Sequence, residues 1–207
     1  MSERKKAQTI IYEVHDNLYV NLTNRCPCNC TFCLRQTRDH MGGSQSLWLE
    51  HEPSLEELRK AFQKSDMSKY GEVVFCGFGE PTERLQVLLA AAAFVKREYG
   101  KKIRVNTNGL SDLVNGTDTA PMFQGIVDTV SISLNTPKAD RYLELTRSRF
   151  GLCSFEAVLT FAENVKKYVD TVILTTVDTT LTREEEEACR MLCSKLGVTY
   201  RIRPWES

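Results

Sequence analysis

Four cysteines, Cys26, Cys28, Cys30 and Cys33, fall within eight consecutive residues of a 207-residue chain. In a reducing compartment such a cluster reads as metal binding before it reads as disulfides. Cys26, Cys30 and Cys33 taken alone give C-x3-C-x2-C, with Phe32 directly before the last cysteine. Three thiolates on one short loop can ligate three irons of a [4Fe–4S] cube and leave the fourth iron open to another ligand. All four thiolates could instead hold a structural zinc, but zinc sites usually pair separated knuckles, and four ligands in eight residues are cramped around one ion. Spacing favours iron–sulfur and leaves zinc open. Cys28, Cys76, Cys153, Cys189 and Cys193 read as small apolar residues, although the i, i+4 pair Cys189 and Cys193 could in principle serve an auxiliary cluster.

A second motif follows a short apolar strand: Gly77-Phe78-Gly79-Glu80-Pro81. Glycines at 77 and 79 let the backbone approach a ligand where a side chain would collide. Two later strands carry polar residues on one face. Thr129, Ser131, Ser133 and Asn135 alternate with Val130, Ile132 and Leu134, and Arg104, Asn106 and Asn108 alternate with Ile103, Val105 and Thr107. A parallel strand covered by helices is usually apolar on both faces, so a polar inner face points to a lumen lined for a polar ligand. Asn106, Ser133 and Asn135 stand at carboxyl ends of strands, where parallel α/β folds place ligands. The last strand puts Arg201 and Arg203 on one face before Pro204-Trp205. They form either a bidentate site for carboxylate or phosphate or a solvated edge pair.

The elements that must position these residues alternate along the chain. Strands are expected at 18–23, 72–76, 102–106, 127–134, 171–177 and 198–203. Between them, Ser54 with Glu57 and Thr182 with Glu185 form capping boxes that open helices. A long helix from Leu85 ends at Gly100, Pro137 opens a short helix, and Ser154 begins another. Such alternation implies parallel strands with right-handed crossovers, in an open sheet or an incomplete barrel.

Composition excludes other classes. Hydrophobic residues are 42 % and charged residues 26 %, the balance of a folded soluble chain. Lys+Arg and Asp+Glu tie at 27 each, so no global field would hold the chain on nucleic acid or an anionic membrane. No apolar run approaches the roughly 20 residues of a membrane span, and the first residues lack a signal-peptide h-region. A cytoplasmic protein is expected.

Together, Cys26, Cys30 and Cys33 and the downstream Gly77-Phe78-Gly79-Glu80-Pro81 resemble the radical SAM enzyme superfamily. The stretch from Asn17 to Cys26 and the continuation Cys33-Leu34-Arg35 resemble, within it, the TatD-associated radical SAM group. The resemblance implies an α/β fold, a partial (β/α)6 TIM-like barrel, as a single domain over 1–207 with its core at about 17–204. It implies a [4Fe–4S] cluster on Cys26, Cys30 and Cys33, with S-adenosyl-L-methionine on the open iron. Reductive cleavage would give a 5′-deoxyadenosyl radical that abstracts hydrogen from an unidentified substrate. Cofactor contacts are implied for Phe32 at the adenine, for Gly77, Phe78, Gly79 and Glu80 at the methionyl amino group, and for Asn106, Ser133 and Asn135 at ribose and carboxylate. Arg201 and Arg203 remain candidates for substrate. Implied partners are a reductant protein such as flavodoxin or ferredoxin and a TatD-type nuclease. The competing reading is a non-enzymatic zinc- or cluster-binding module partnering such a nuclease. A chain ending just past its sixth strand would leave a barrel mouth open, to be closed by the Met41–Pro53 loop with Trp48, by a second subunit or by a partner.

Overall fold

The structure, a computed structural model, describes residues 6–204. These fall into two compact units, one of residues 6–26 and 34–105, the other of residues 27–33 and 106–204.

The first unit opens with a hairpin absent from the expected elements. Strand β1 (Ile11–Val14) runs antiparallel to β2 (Asn17–Val20), with Val14 opposite Asn17 across a two-residue turn. His15 takes φ 51 there, as tight hairpin turns demand. Strand β2 pairs in parallel with β3 (Glu72–Phe75), and β3 with β4 (Lys102–Thr107). Helix α1 (Leu55–Lys64) starts at Ser54 with both arms of its capping box made, and α2 (Leu85–Tyr99) stops at Gly100 with φ 62. Their apolar faces meet where Phe62 stacks on Phe94, ring centroids 6.4 Å apart. Leu58, Phe62, Leu88 and Val95 are fully buried, as are Val73, Val74 and Phe75 of β3. Burying each such side chain contributes roughly 1.5–3 kcal/mol.

In the second unit, β5 (Thr129–Ser133), β6 (Thr171–Val177) and β7 (Thr199–Arg203) are parallel. A short α3 (Ser111–Asn115), then α4 (Ala139–Thr146), α5 (Cys153–Val165) and α6 (Arg183–Leu196) complete it. One face of β5, with Val130 and Ile132, is fully buried, and α5 contributes Val158 and Phe161 to the core. Gly109, at φ +80, sits so tightly there that a Cβ would lie 2.7 Å from Ile132 Cγ2. The opposite face carries the registered row Ser133, Thr175 and Arg201. No helix among the described residues is long and apolar enough to cross a membrane.

Candidate active site

The cysteine segment is tied at both ends. Before it, Thr23 is buried and donates its hydroxyl to Glu52 Oε1 at 2.5 Å, while the Arg25 amide donates to Thr23 Oγ1 at 2.9 Å. The Arg25 guanidinium meets Glu52 at 2.7 Å and Glu83 at 3.6 Å, and Arg84 reaches Glu52 at 3.4 Å. Burial alone would raise the Glu52 pKa, but hydrogen bonds from Thr23 and Arg25 and the charges of Arg25 and Arg84 prevail and lower it. The bond to Glu52 likewise raises the Arg25 pKa. After Cys26, three backbone bonds of 2.9 Å sew the segment to the end of α4: Asn29 N–H to Thr146 O, Thr31 N–H to Leu145 O, and Arg149 N–H to Pro27 O.

None of the eight cysteines is in a disulfide. Cys28 is buried, with Asn108 Nδ2 3.9 Å from its sulfur, whereas Cys26, Cys30 and Cys33 are partly exposed. Among the described residues, no group of three or more His, Cys, Asp or Glu stands in a metal-holding array.

The glycine turn owes its composition to the chain itself. A Cβ on Gly79 would lie 2.2 Å from Thr23 O and 2.6 Å from Arg25 O, and one on Gly77 would lie 2.2 Å from Asn21 Oδ1. The glycines therefore let the turn press against the backbone that leads into Cys26, a contact the sequence reading had reserved for a ligand. The side chain of Phe78, expected at the cofactor, points into a core cluster with Tyr12, Leu47 and Trp48, its ring 5.3 Å from the indole. Only its backbone remains for a ligand. The Glu80 carboxylate is buried and caps the next turn, accepting from Thr82 N–H at 3.1 Å and Thr82 Oγ1 at 2.8 Å. Trp48, expected on a closing loop, is buried in the same cluster.

In the second unit, Asn135 follows β5 in a left-handed conformation (φ 65) and is buried. Its Oδ1 and that of Asn106 are buried without hydrogen-bond partners among the described residues. Ser133, the last residue of β5, is partly exposed. Arg201 Nη2 reaches Ser131 Oγ at 3.5 Å. Trp205 lies outside the described residues. Phe32 lines a hollow of about 360 Å³ with Thr31, Arg141, Leu145, Thr179 and Thr180. A larger hollow of about 820 Å³ runs along β1 and carries none of the expected site residues.

Residues 20–192 match the Radical SAM superfamily. The chain belongs to that superfamily. Its cofactors are those of radical SAM enzymes, a [4Fe–4S] cluster and S-adenosylmethionine, and its sequence-expected α/β partial-barrel class holds. The GTP 3′,8-cyclase of Corynebacterium glutamicum is 33 % identical over 143 residues, covering 63 % of this chain and 34 % of that protein. The probable GTP 3′,8-cyclase of Thermococcus kodakarensis is 28 % identical over 162 residues, covering 76 % and 46 %. The chain thus spans less than half the length of either relative. Among solved structures, Streptococcus suis SuiB superposes with a TM-score of 0.67 at 15 % identity when bound to its precursor peptide SuiA, over 95 % of this chain and 40 % of SuiB. SuiB bound to S-adenosylmethionine gives 0.67 at 16 % identity, over 91 % of this chain and 40 % of SuiB.

The residues present fit the radical SAM cofactors by the chemistry of their donors. Three accessible thiols stand at cluster spacing, and the buried acceptors of Asn106 and Asn135 lack donors that an adenosyl or methionyl group could supply. Sequence reading missed the Thr23–Glu52–Arg25 brace and the Thr179-Thr180 side of the Phe32 hollow. Capping-box spacing at Thr182 was readable, but the φ of 66 at Thr179 that shapes the loop before it leaves no sequence mark.

Proposed function

We propose that Cys26, Cys30 and Cys33 hold the cluster of this radical SAM enzyme and that Cys28 does not. The observation behind this reading is the division of the four thiols: Cys28 is buried against Asn108, and the other three are partly exposed. When bound, the cluster and S-adenosylmethionine supply one-electron cleavage of a sulfonium and a 5′-deoxyadenosyl radical able to abstract hydrogen. The chain's own residues bind and orient. Phe32 covers the adenine from its hollow, and Thr179 and Thr180 face it across that hollow. The backbone of Gly77–Glu80 takes the methionyl amino group, and Ser133, Asn106 and Asn135 offer acceptors to the ribose hydroxyls. A reductant protein of the flavodoxin or ferredoxin class delivers the electron.

Separate alanine substitutions at the four positions test the assignment. After anaerobic reconstitution, Cys28→Ala should keep iron, brown colour and S-adenosylmethionine cleavage driven by dithionite. The other three variants should lose all of them. Retained iron in any of the three, loss in Cys28→Ala, or a colourless zinc protein from the unaltered chain would overturn it.

A further inference from the structure

The cofactor reading leaves the last strand unused. In β7, Arg201 and Arg203 are two residues apart, so both side chains leave the same face, about 6.6 Å apart along the strand. That face is the polar one. Arg201 is in register with Thr175, which is in register with Ser133, and its Nη2 lies 3.5 Å from Ser131 Oγ. The other face of β7 belongs to the helices: Tyr200 hydrogen-bonds Thr176 at 2.7 Å and lies under Arg190 of α6.

Arg203 is the more telling of the two. It stands level with Val177 at the carboxyl end of β6, where parallel α/β folds receive their ligands. Its Nε is buried with no hydrogen-bond acceptor, and among the described residues its guanidinium has no ion-pair or hydrogen-bond partner. The positions that share this face on β5 and β6 are Thr, Ser, Ile and Val, none of them acidic. A guanidinium resting over solvent needs no partner, but a buried N–H left unmet is costly, and this one belongs to a fork built for paired oxygens. A ligand oxyanion would meet it.

We propose that Arg203, with Arg201 beside it, binds the oxyanion of the substrate, a carboxylate or phosphate group on a small molecule. The proposal deepens the functional reading by naming the substrate's chemistry, yet the site itself needs neither cluster nor S-adenosylmethionine. The two can therefore fail separately.

The test uses metal-free, reduced chain in an anion-poor buffer. Isothermal titration calorimetry is run with inorganic phosphate and, separately, with malonate, on the unaltered chain and on Arg203→Gln, Arg203→Lys and Arg201→Gln. Arg190→Gln, on the helix-covered side, is the control. The unaltered chain and the control should bind at least one probe, and the probe that binds tells phosphate from carboxylate. Arg203→Gln should weaken binding about tenfold or more, the scale of one lost charge-assisted fork, and Arg203→Lys should fall between. Should Arg201→Gln unfold, judged by circular dichroism, Arg203→Gln carries the test alone, because no described residue depends on its guanidinium. Absence of binding to the unaltered chain at tens of millimolar probe would overturn the proposal, as would equal affinity in Arg203→Gln. The same variants are then reconstituted. Unimpaired iron loading and S-adenosylmethionine binding in Arg203→Gln supports a substrate site, whereas loss of S-adenosylmethionine binding would assign the arginine to the cofactor and overturn it.

Discussion

Gly79 shows how a motif residue expected at a ligand can also be required by the packing of the chain itself. Its missing Cβ is replaced by the carbonyl oxygens of Thr23 and Arg25, at 2.2 and 2.6 Å from where that atom would stand. Neither is the end of a flexible side chain, so the backbone has to move, and overpacking of this kind costs typically about 1–3 kcal/mol. Gly79→Ala should therefore lower the urea midpoint and, by shifting the residues before Cys26, reduce iron retention. Gly43→Ala, where no atom lies within 4 Å, should change neither. Equal midpoints for the two variants would refute the packing account. Glu52 gives a pH-dependent companion. Its folded pKa is lowered from 4.5, so its contribution is fully present above the unfolded value and is lost as pH falls through the folded one. Arg25 and Glu52 are both substantially exposed, which limits the contribution to about 0.5–1 kcal/mol. Glu52→Gln should lose about that much stability at pH 7, with the two stability curves converging as pH falls through the lowered folded pKa; a difference independent of pH would count against the ionic brace. At this scale the glycines were legible because close packing limits those positions to one residue type. The side-chain direction of Phe78 was not, because an aromatic residue suits a cofactor face and a core equally.

Helix starts were the most legible elements, since a cap is a local event between residues three apart. Ser54 with Glu57 and Thr182 with Glu185 each form both reciprocal bonds. Ser54→Ala and Thr182→Ala should each cost about 1 kcal/mol in equilibrium denaturation, whereas exposed Ser194→Ala inside the last turns of α6 should stay within about 0.5 kcal/mol. Indistinguishable midpoints for all three would show that the caps contribute nothing beyond water. Strand ends were less legible. β2 stops at Val20 although the alternation runs on to Thr23, because Asn21 and Thr23 turn their polar groups to neighbouring loops instead of a ladder. β1 escaped notice because its turn, His15-Asp16, lacks the Asn-Gly or Gly-X composition that announces a hairpin. The Met41–Pro53 connection was one of three candidates to close the barrel mouth, with a second subunit and a partner. Long-range bonds fix it in place: Asn21 donates to Leu47 O at 2.8 Å, and Asn24 brackets Leu49 through both of its amide atoms. Such partners lie more than twenty residues away, beyond any local pattern.

At the scale of the whole chain, alternation of strand and helix carried the fold class, and superfamily membership carried the cofactors. Composition carried less. Zero formal charge removed strongly basic binding modes but could not reveal a local guanidinium pair on β7. How the cluster relates to folding can be argued from what holds the cysteine segment. Zinc fingers lack a sufficient core and fold only with metal. Here apolar cores exist in both units without metal, and the segment is anchored by the Glu52 brace on one side and three backbone bonds to the end of α4 on the other. The metal-free chain should therefore keep its helix content by circular dichroism and unfold cooperatively. Reconstitution should raise Tm, because a ligand that binds the native chain stabilises it by mass action. Removal of the iron by chelation under reducing conditions should return Tm to the metal-free value without precipitation. Collapse of helix content on chelation would place the cluster among the structural requirements of the fold. An identical Tm with and without loaded iron would show that the cysteine segment gains nothing from ligation.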